Sequence, residues 1–130
     1  MMRFTVAIIG LLLTMVAQAQ TGAAAIKFHT KEYNFKTVTE GENVTYGFVF
    51  KNTGTADLVI TGVESSCDCM VPSLPDKPIK PGQWGKIIVV FYTEGKANET
   101  RKSSKSVTIT TNTTPAVTSL YMVGFVKPKK

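Results

Sequence analysis

The stretch Val44-Thr45-Tyr46-Gly47-Phe48-Val49-Phe50-Lys51-Asn52-Thr53-Gly54 decides the fold class. Val44, Tyr46, Phe48 and Phe50 occupy alternate positions, with Thr45, Gly47, Val49 and Lys51 between them. Side chains of an extended chain alternate faces, so this pattern is a strand with one face in a core and the other toward water. A helix would instead need apolar residues three and four apart. Asn52-Thr53-Gly54 then closes the strand with turn chemistry, since Asn and Gly tolerate positive φ.

The same reading extends in both directions. Leu58 and Ile60 resume the alternation, and the phase slips at Gly62, after which Val63, Ser65, Cys67 and Cys69 share a parity. A glycine at a phase slip predicts a bulge. Prolines at 72, 75, 78 and 81 exclude a helix or a central strand between Pro72 and Pro81, and Pro81-Gly82 predicts a turn. Ile87 to Tyr92 is a continuous, β-branched-rich apolar run, which predicts a strand buried on both faces. Thr93 to Ser104 is polar and basic, as expected of a loop. Val107, Ile109 and Thr111 alternate again, Asn112 to Pro115 turns, and Ser119 to Val126 forms a last strand. Ala25 to Phe28 and Tyr33 to Phe35 are short candidate strands near the start. About seven short strands at intervals of about 8–12 residues describe an all-β, antiparallel β-sandwich.

Residues 1–19 have the form of a Sec-type signal peptide rather than of a folded element. Arg3 supplies the positive charge, Phe4 to Val16 the apolar run, and Ala17-Gln18-Ala19 the small-x-small cleavage site. No cysteine follows that site, so a lipid anchor is not expected. Cleavage after Ala19 leaves residues 20–130 as a single domain of 130 − 19 = 111 residues, with no later run of membrane-spanning length. Removing Arg3 from the 15 basic residues leaves 14 against 9 acidic ones, a net charge of +5. The expected location is the periplasm or the medium. A basic surface there favours solubility or attraction to anionic envelope polymers. Arg101 is the only arginine after residue 19, and no basic stretch is interleaved with aromatic residues, so nucleic acid is not an expected partner.

Catalytic chemistry finds little to use. The single histidine, His29, lies in the first candidate strand and reads as a surface or edge residue. Nucleophile-elbow, zinc-helix and phosphate-loop motifs are absent from the sequence. An enzyme is therefore not expected. Cys67 and Cys69 form the one chemical constellation. On an ideal strand their Cα atoms would be about 6.5–7 Å apart. A disulfide prefers about 5.5–6 Å, so one between them requires the backbone to curl at Asp68. An oxidising compartment favours such a bond, which would remove little unfolded-state entropy because it closes a tiny loop. Two thiolates beside Met70 equally make a soft-ligand set for Cu(I), though too few ligands for a closed zinc site. Thiol–disulfide exchange and simple packing at a strand end complete the alternatives. Trp84, between the Pro81-Gly82 turn and Gly85, is the interaction candidate, for a partner or glycan contact, against packing over the sandwich end. Lys96, Arg101, Lys102 and Lys105 make a solvated basic loop or an anionic-polymer contact.

Three ordered segments carry a resemblance: Phe48-x-Phe50-x-Asn52-Thr53-Gly54, Ser66-Cys67-Asp68-Cys69 and Pro81-Gly82-x-x-Gly85-x-Ile87. With Phe35, Gly41, Leu58 to Ile60, Val107 to Asn112 and Leu120 to Gly124, the chain resembles the exported bacterial family called domain of unknown function 1573. The resemblance implies an immunoglobulin-like sandwich of the kind found in centrosomal proteins and pilus chaperones, in the bacterial envelope. The sequons at Asn43, Asn98 and Asn112 then carry no meaning. Two positions depart from the family: Asp68 stands where glycine is usual, and Met70 replaces a small polar residue. If that glycine serves a positive φ, aspartate is among the tolerated substitutes. Beyond fold and export the resemblance implies no activity. The expected role is a non-catalytic protein-interaction or structural module of the envelope, with an envelope protein as partner through a sheet edge, and a Cu(I) or thiol-redox protein centred on Cys67 and Cys69 is the alternative.

Overall fold

The computed structural model describes residues 22–97 and 101–130. The expected signal segment 1–19 and the sequon Asn98 lie outside these residues. The described residues form eight strands, where about seven were expected: β1 (Ile26–Phe28), β2 (Glu32–Thr39), β3 (Val44–Asn52), β4 (Ile60–Ser65), β5 (Met70–Ser73), β6 (Trp84–Phe91), β7 (Ser103–Thr111) and β8 (Val117–Lys127). They make two four-stranded sheets, in the orders β1-β3-β6-β5 and β2-β8-β7-β4. The core lies between them, where Phe48, Phe50, Ile87, Val89 and Phe91 of one sheet meet Val107, Ile109, Leu120, Met122 and Val126 of the other. These are the in-phase residues of the alternating segments, so the parity read from Val44 to Phe50 is the parity of the sandwich.

Three expectations are corrected. The pairing is not wholly antiparallel, because β2 runs parallel to β8. The chain leaves the first sheet after Phe28 and joins the second at Glu32, so consecutive short strands belong to different layers. A bulge between Asn34 and Lys36 lets β2 keep its register, with Lys36 at φ 64° and its N–H bonded to Asn34 Oδ1 at 2.9 Å. Phe35 thereby enters the core above Gly124, where a Cβ would collide with its ring. Second, Ile87 to Tyr92 is not buried on both faces: Ile88 is 41% exposed and Tyr92 is also open to solvent. With two layers among the described residues, each sheet has one face they leave uncovered, and β6 keeps apolar residues on its own. Third, neither Asn52 nor Gly54 uses a positive φ. Pro72 lies inside β5, which is an edge strand, in agreement with the exclusion of a central strand there.

Asn52 is fully buried and acts through hydrogen bonds. Its Oδ1 accepts from the N–H groups of Gly54 (3.0 Å) and Ala25 (3.4 Å). Its Nδ2 donates to the carbonyls of Ala56 (2.8 Å) and Ile79 (2.9 Å). Its backbone N–H donates to Gln83 O at 3.0 Å, and its carbonyl accepts from Gly82 at 2.8 Å. Gly54 is needed for close approach, since a Cβ there would run into the Ala23–Ala25 backbone. The Pro81-Gly82 turn forms as expected, with Gly82 at φ 80° and Gln83 N–H bonded to Lys80 O at 3.0 Å. The bulge expected at Gly62 is present as a register shift between Ile60 and Gly62.

Replacing Asn52 by Ala takes the side-chain partner from the N–H groups of Gly54 and Ala25 and from the Ala56 carbonyl, while Ile79 O keeps the Leu58 N–H. Each orphan costs about 1–3 kcal/mol, part of which entering water would relieve, so Asn52→Ala should lower unfolding free energy by about 3 kcal/mol in urea titration. A loss below about 1 kcal/mol would show that the hub is dispensable.

Candidate functional site

The uncovered face of the β1-β3-β6-β5 sheet carries the candidate site. Residues Lys27 of β1, Lys51 of β3 and Trp84 of β6 lie in one cross-strand row, because Lys27 pairs with Lys51 and Lys51 with Trp84. The two lysines alternate with the core residues Phe28 and Phe50, and Gly85 follows Trp84 against the Phe50 ring. Gly85 is required there because the Phe50 ring occupies the space of a Cβ. The register is set by the hydrogen bond from Asn52 to Gln83, so the buried hub fixes which residues share the row.

Trp84 is 62% exposed, on the open face rather than capping the sandwich end. The Lys51 ammonium sits 5.4 Å from its ring centroid, a cation–π contact. Together with Phe28, His29 and Thr53 the row lines an open hollow of about 440 Å³. His29 lies just past β1, its N–H bonded to Val49 O at 2.9 Å. Lys86 follows Trp84 outward by two positions, its stem lying across Gly47. Among the described residues the only ion pair is Lys129–Glu94, so the groove lysines carry charge without an acidic partner. Like charges directly opposite across strands destabilise a sheet, and Lys27 and Lys51 are such a pair. Beyond this basic end the same face continues as Val71, Ile88 and Tyr92, exposed and apolar.

Trp84 was legible in the sequence as a contact candidate, and His29 as a surface residue. Lys27 and Lys51 were not singled out. The alternation of β3 places Lys51 on the outer face, but its partners depend on a register that no local pattern states.

Cys67 and Cys69 lie in the turn between β4 and β5, joined by a disulfide with Cα atoms 5.2 Å apart. The curl needed at Asp68 is supplied by a turn in which Met70 N–H reaches Cys67 O at 3.3 Å. Asp68 has no positive φ, so aspartate is not there to meet that demand. Cys69 O accepts from Tyr92 N–H at 2.8 Å, which ties the turn to the end of β6. Met70 is buried in the core, apart from any surface ligand set, and Cys69 is buried beside it. A Cu(I) site would require reducing the bond first. Among the described residues no group of three or more His, Cys, Asp or Glu side chains is placed to hold a metal ion.

The family model described as "Protein of unknown function (DUF1573)" matches residues 26–126, and the chain belongs to that family. No curated protein matches the sequence. Among solved structures, a protein of unknown function from Porphyromonas gingivalis W83 superposes with TM-score 0.64 at 15% identity, covering 88% of this chain and 51% of that one. The chain thus spans about half the length of that relative. The ASH/PapD-like domain 7 of human CEP192 gives TM-score 0.58 at 14% identity, covering 81% of this chain and 87% of that one. The periplasmic chaperone SfaE gives 0.53 at 11% identity, covering 82% and 59%. At these identities the likeness is one of fold, and the fold is a PapD-like, immunoglobulin-like sandwich.

Two measurements check the site. Trp84 is the only tryptophan, so its fluorescence reports the row alone. Iodide should quench it more strongly than caesium, and the difference should shrink in Lys27→Ala/Lys51→Ala; equal quenching in the native chain would contradict an electropositive groove. For the cysteines, intact mass should show alkylation of both only after reduction. The double replacement by Ala should cost no more than about 2 kcal/mol, because so short a loop removes little unfolded-state entropy.

Proposed function

We propose that this DUF1573 protein is an exported, non-catalytic binding module of the bacterial envelope, and that it meets its partner on the open face around Trp84. The observation that carries this reading is an indole 62% exposed beside two directly opposed lysines that form no ion pair among the described residues. Both features cost the isolated fold something, and a bound partner relieves both. Tryptophan is among the residues whose burial most often anchors an interface.

The face is better suited to this than the sheet edges. A partner strand needs a straight run of unpaired backbone groups. The edge strand β1 has three residues, β5 has four and includes Pro72, β4 is bulged near its start, and β2 is bulged at Lys36. These are the devices that blunt an edge against strand addition. Export is supported by the signal-like segment and by the Cys67–Cys69 disulfide, a bond favoured outside the reducing cytosol.

A photo-crosslinking benzophenone side chain at position 84 should give a discrete adduct in living cells, whereas the same side chain at position 64, on the opposite sheet, should not. Equal adducts at both positions, or an adduct only at 64, would overturn the assignment of the contact face.

A further inference from the structure

The hollow beside Trp84 also has a chemistry of its own. It is wide and shallow, one wall is an indole plane, and its charged groups are the lysines Lys27 and Lys51, with His29 and Thr53 beside them. An indole face is electron-rich and accepts weakly positive C–H groups or cations over it. A pyranose ring presents such a C–H face, with its hydroxyl and acidic substituents at the ring edge. The row from β1 to β6 crosses two inter-strand spacings, about 9.5 Å, so a group stacked on Trp84 reaches Lys27 only if it is extended and carries its charge at the rim.

We propose that this hollow binds an acidic oligosaccharide, one ring stacked on Trp84 and a neighbouring anionic substituent held between Lys27 and Lys51. The assignment rests on the reading of this face as the contact surface, and it specifies the ligand class. Charge complementarity selects the acid: the lining holds no carboxylate, and the opposed lysines repel each other until an anion lies between them. Lysine ammonium groups act here as point charges, which suits a carboxylate or sulfate presented at variable angles. A neutral glycan would leave that repulsion in place. An acidic peptide would draw its directional bonds from the adjacent edge, but β1 offers only Ile26 to Phe28.

The test uses the native fluorescence of Trp84 in the exported protein at ~0.15 M salt, with calorimetry as a second readout for the variant lacking the indole. The probes are oligogalacturonate, a sulfated dextran, neutral maltotriose, polyglutamate and oligothymidylate. The acidic saccharides should saturate and shift the emission, with maltotriose at least about tenfold weaker. Trp84→Ala and Lys27→Ala/Lys51→Ala should each weaken oligogalacturonate binding about tenfold or more, with no marked fall in melting temperature because these side chains lie on the open face. Polyglutamate binding as well as the saccharides, unaffected by Trp84→Ala, would reduce the groove to a charged patch and overturn the proposal. So would maltotriose binding equally, or oligothymidylate binding more tightly. If no saccharide binds while the crosslink at position 84 still captures a partner, the ligand class is wrong and the contact face stands.

Discussion

One buried amide holds this sandwich in register. Asn52 ends the strand that begins at Val44, and its side chain ties the segment before β1, the turn after β3 and the proline-rich connection before β6 to one point. Short backbone contacts run beside it, the Leu58–Ile79 bridge and the bonds from Thr53 to Ala25 and from Thr55 to Ala23. A buried carboxamide, with two donors and two acceptor lone pairs, matches the demand with nothing left over. The Asn-Thr-Gly and Pro-Gly motifs are therefore halves of one device. Gly54 lets two chains touch, Pro81-Gly82 turns the third inward, and Asn52 joins them. The row Lys27–Lys51–Trp84 lies one residue from this hub, and its alignment follows from the hub's register.

That arrangement explains which parts of the molecule were legible in advance. Alternation is a local property, so Val44 to Phe50, Val107 to Thr111 and Ser119 to Val126 could be assigned as strands with the correct face inward. Turn chemistry is local as well, and Pro81-Gly82 and the slip at Gly62 were read correctly. Pairing is not local. That β2 runs beside β8 in parallel depends on the chain crossing between layers at residues 29–31, a stretch with no distinctive pattern. The run Ile87 to Tyr92 misled because exposed Ile88 and Tyr92 look like core in composition. They show instead that this face carries more apolar surface than a solvated sheet needs. Asn52 illustrates the opposite error. Its residue type suggested a turn conformation, whereas its role depends on being buried, which composition around it does not announce.

The cysteine pair follows a similar logic at smaller scale. Spacing alone left disulfide, metal and packing readings open, because all three need two sulfurs on one side of the chain. What separates them is the turn that brings Met70 N–H back to Cys67 O and sends the Met70 side chain into the core. The bond closes so small a ring that it cannot staple distant segments. Its effect is to stiffen the corner where β4 of one sheet hands over to β5 of the other.

The parallel pairing of β2 with β8 gives the domain a mechanical direction. Tension that pulls the chain backward at Glu32 and forward at Lys127 slides these two strands along each other. Their seven register pairs are then strained together, in shear, and do not open one after another. The antiparallel β1–β3 contact, three pairs long, would peel first and leave the shear clamp intact. A module anchored by its two ends would resist stretching far better than a hairpin of the same hydrogen-bond count pulled apart from its open end.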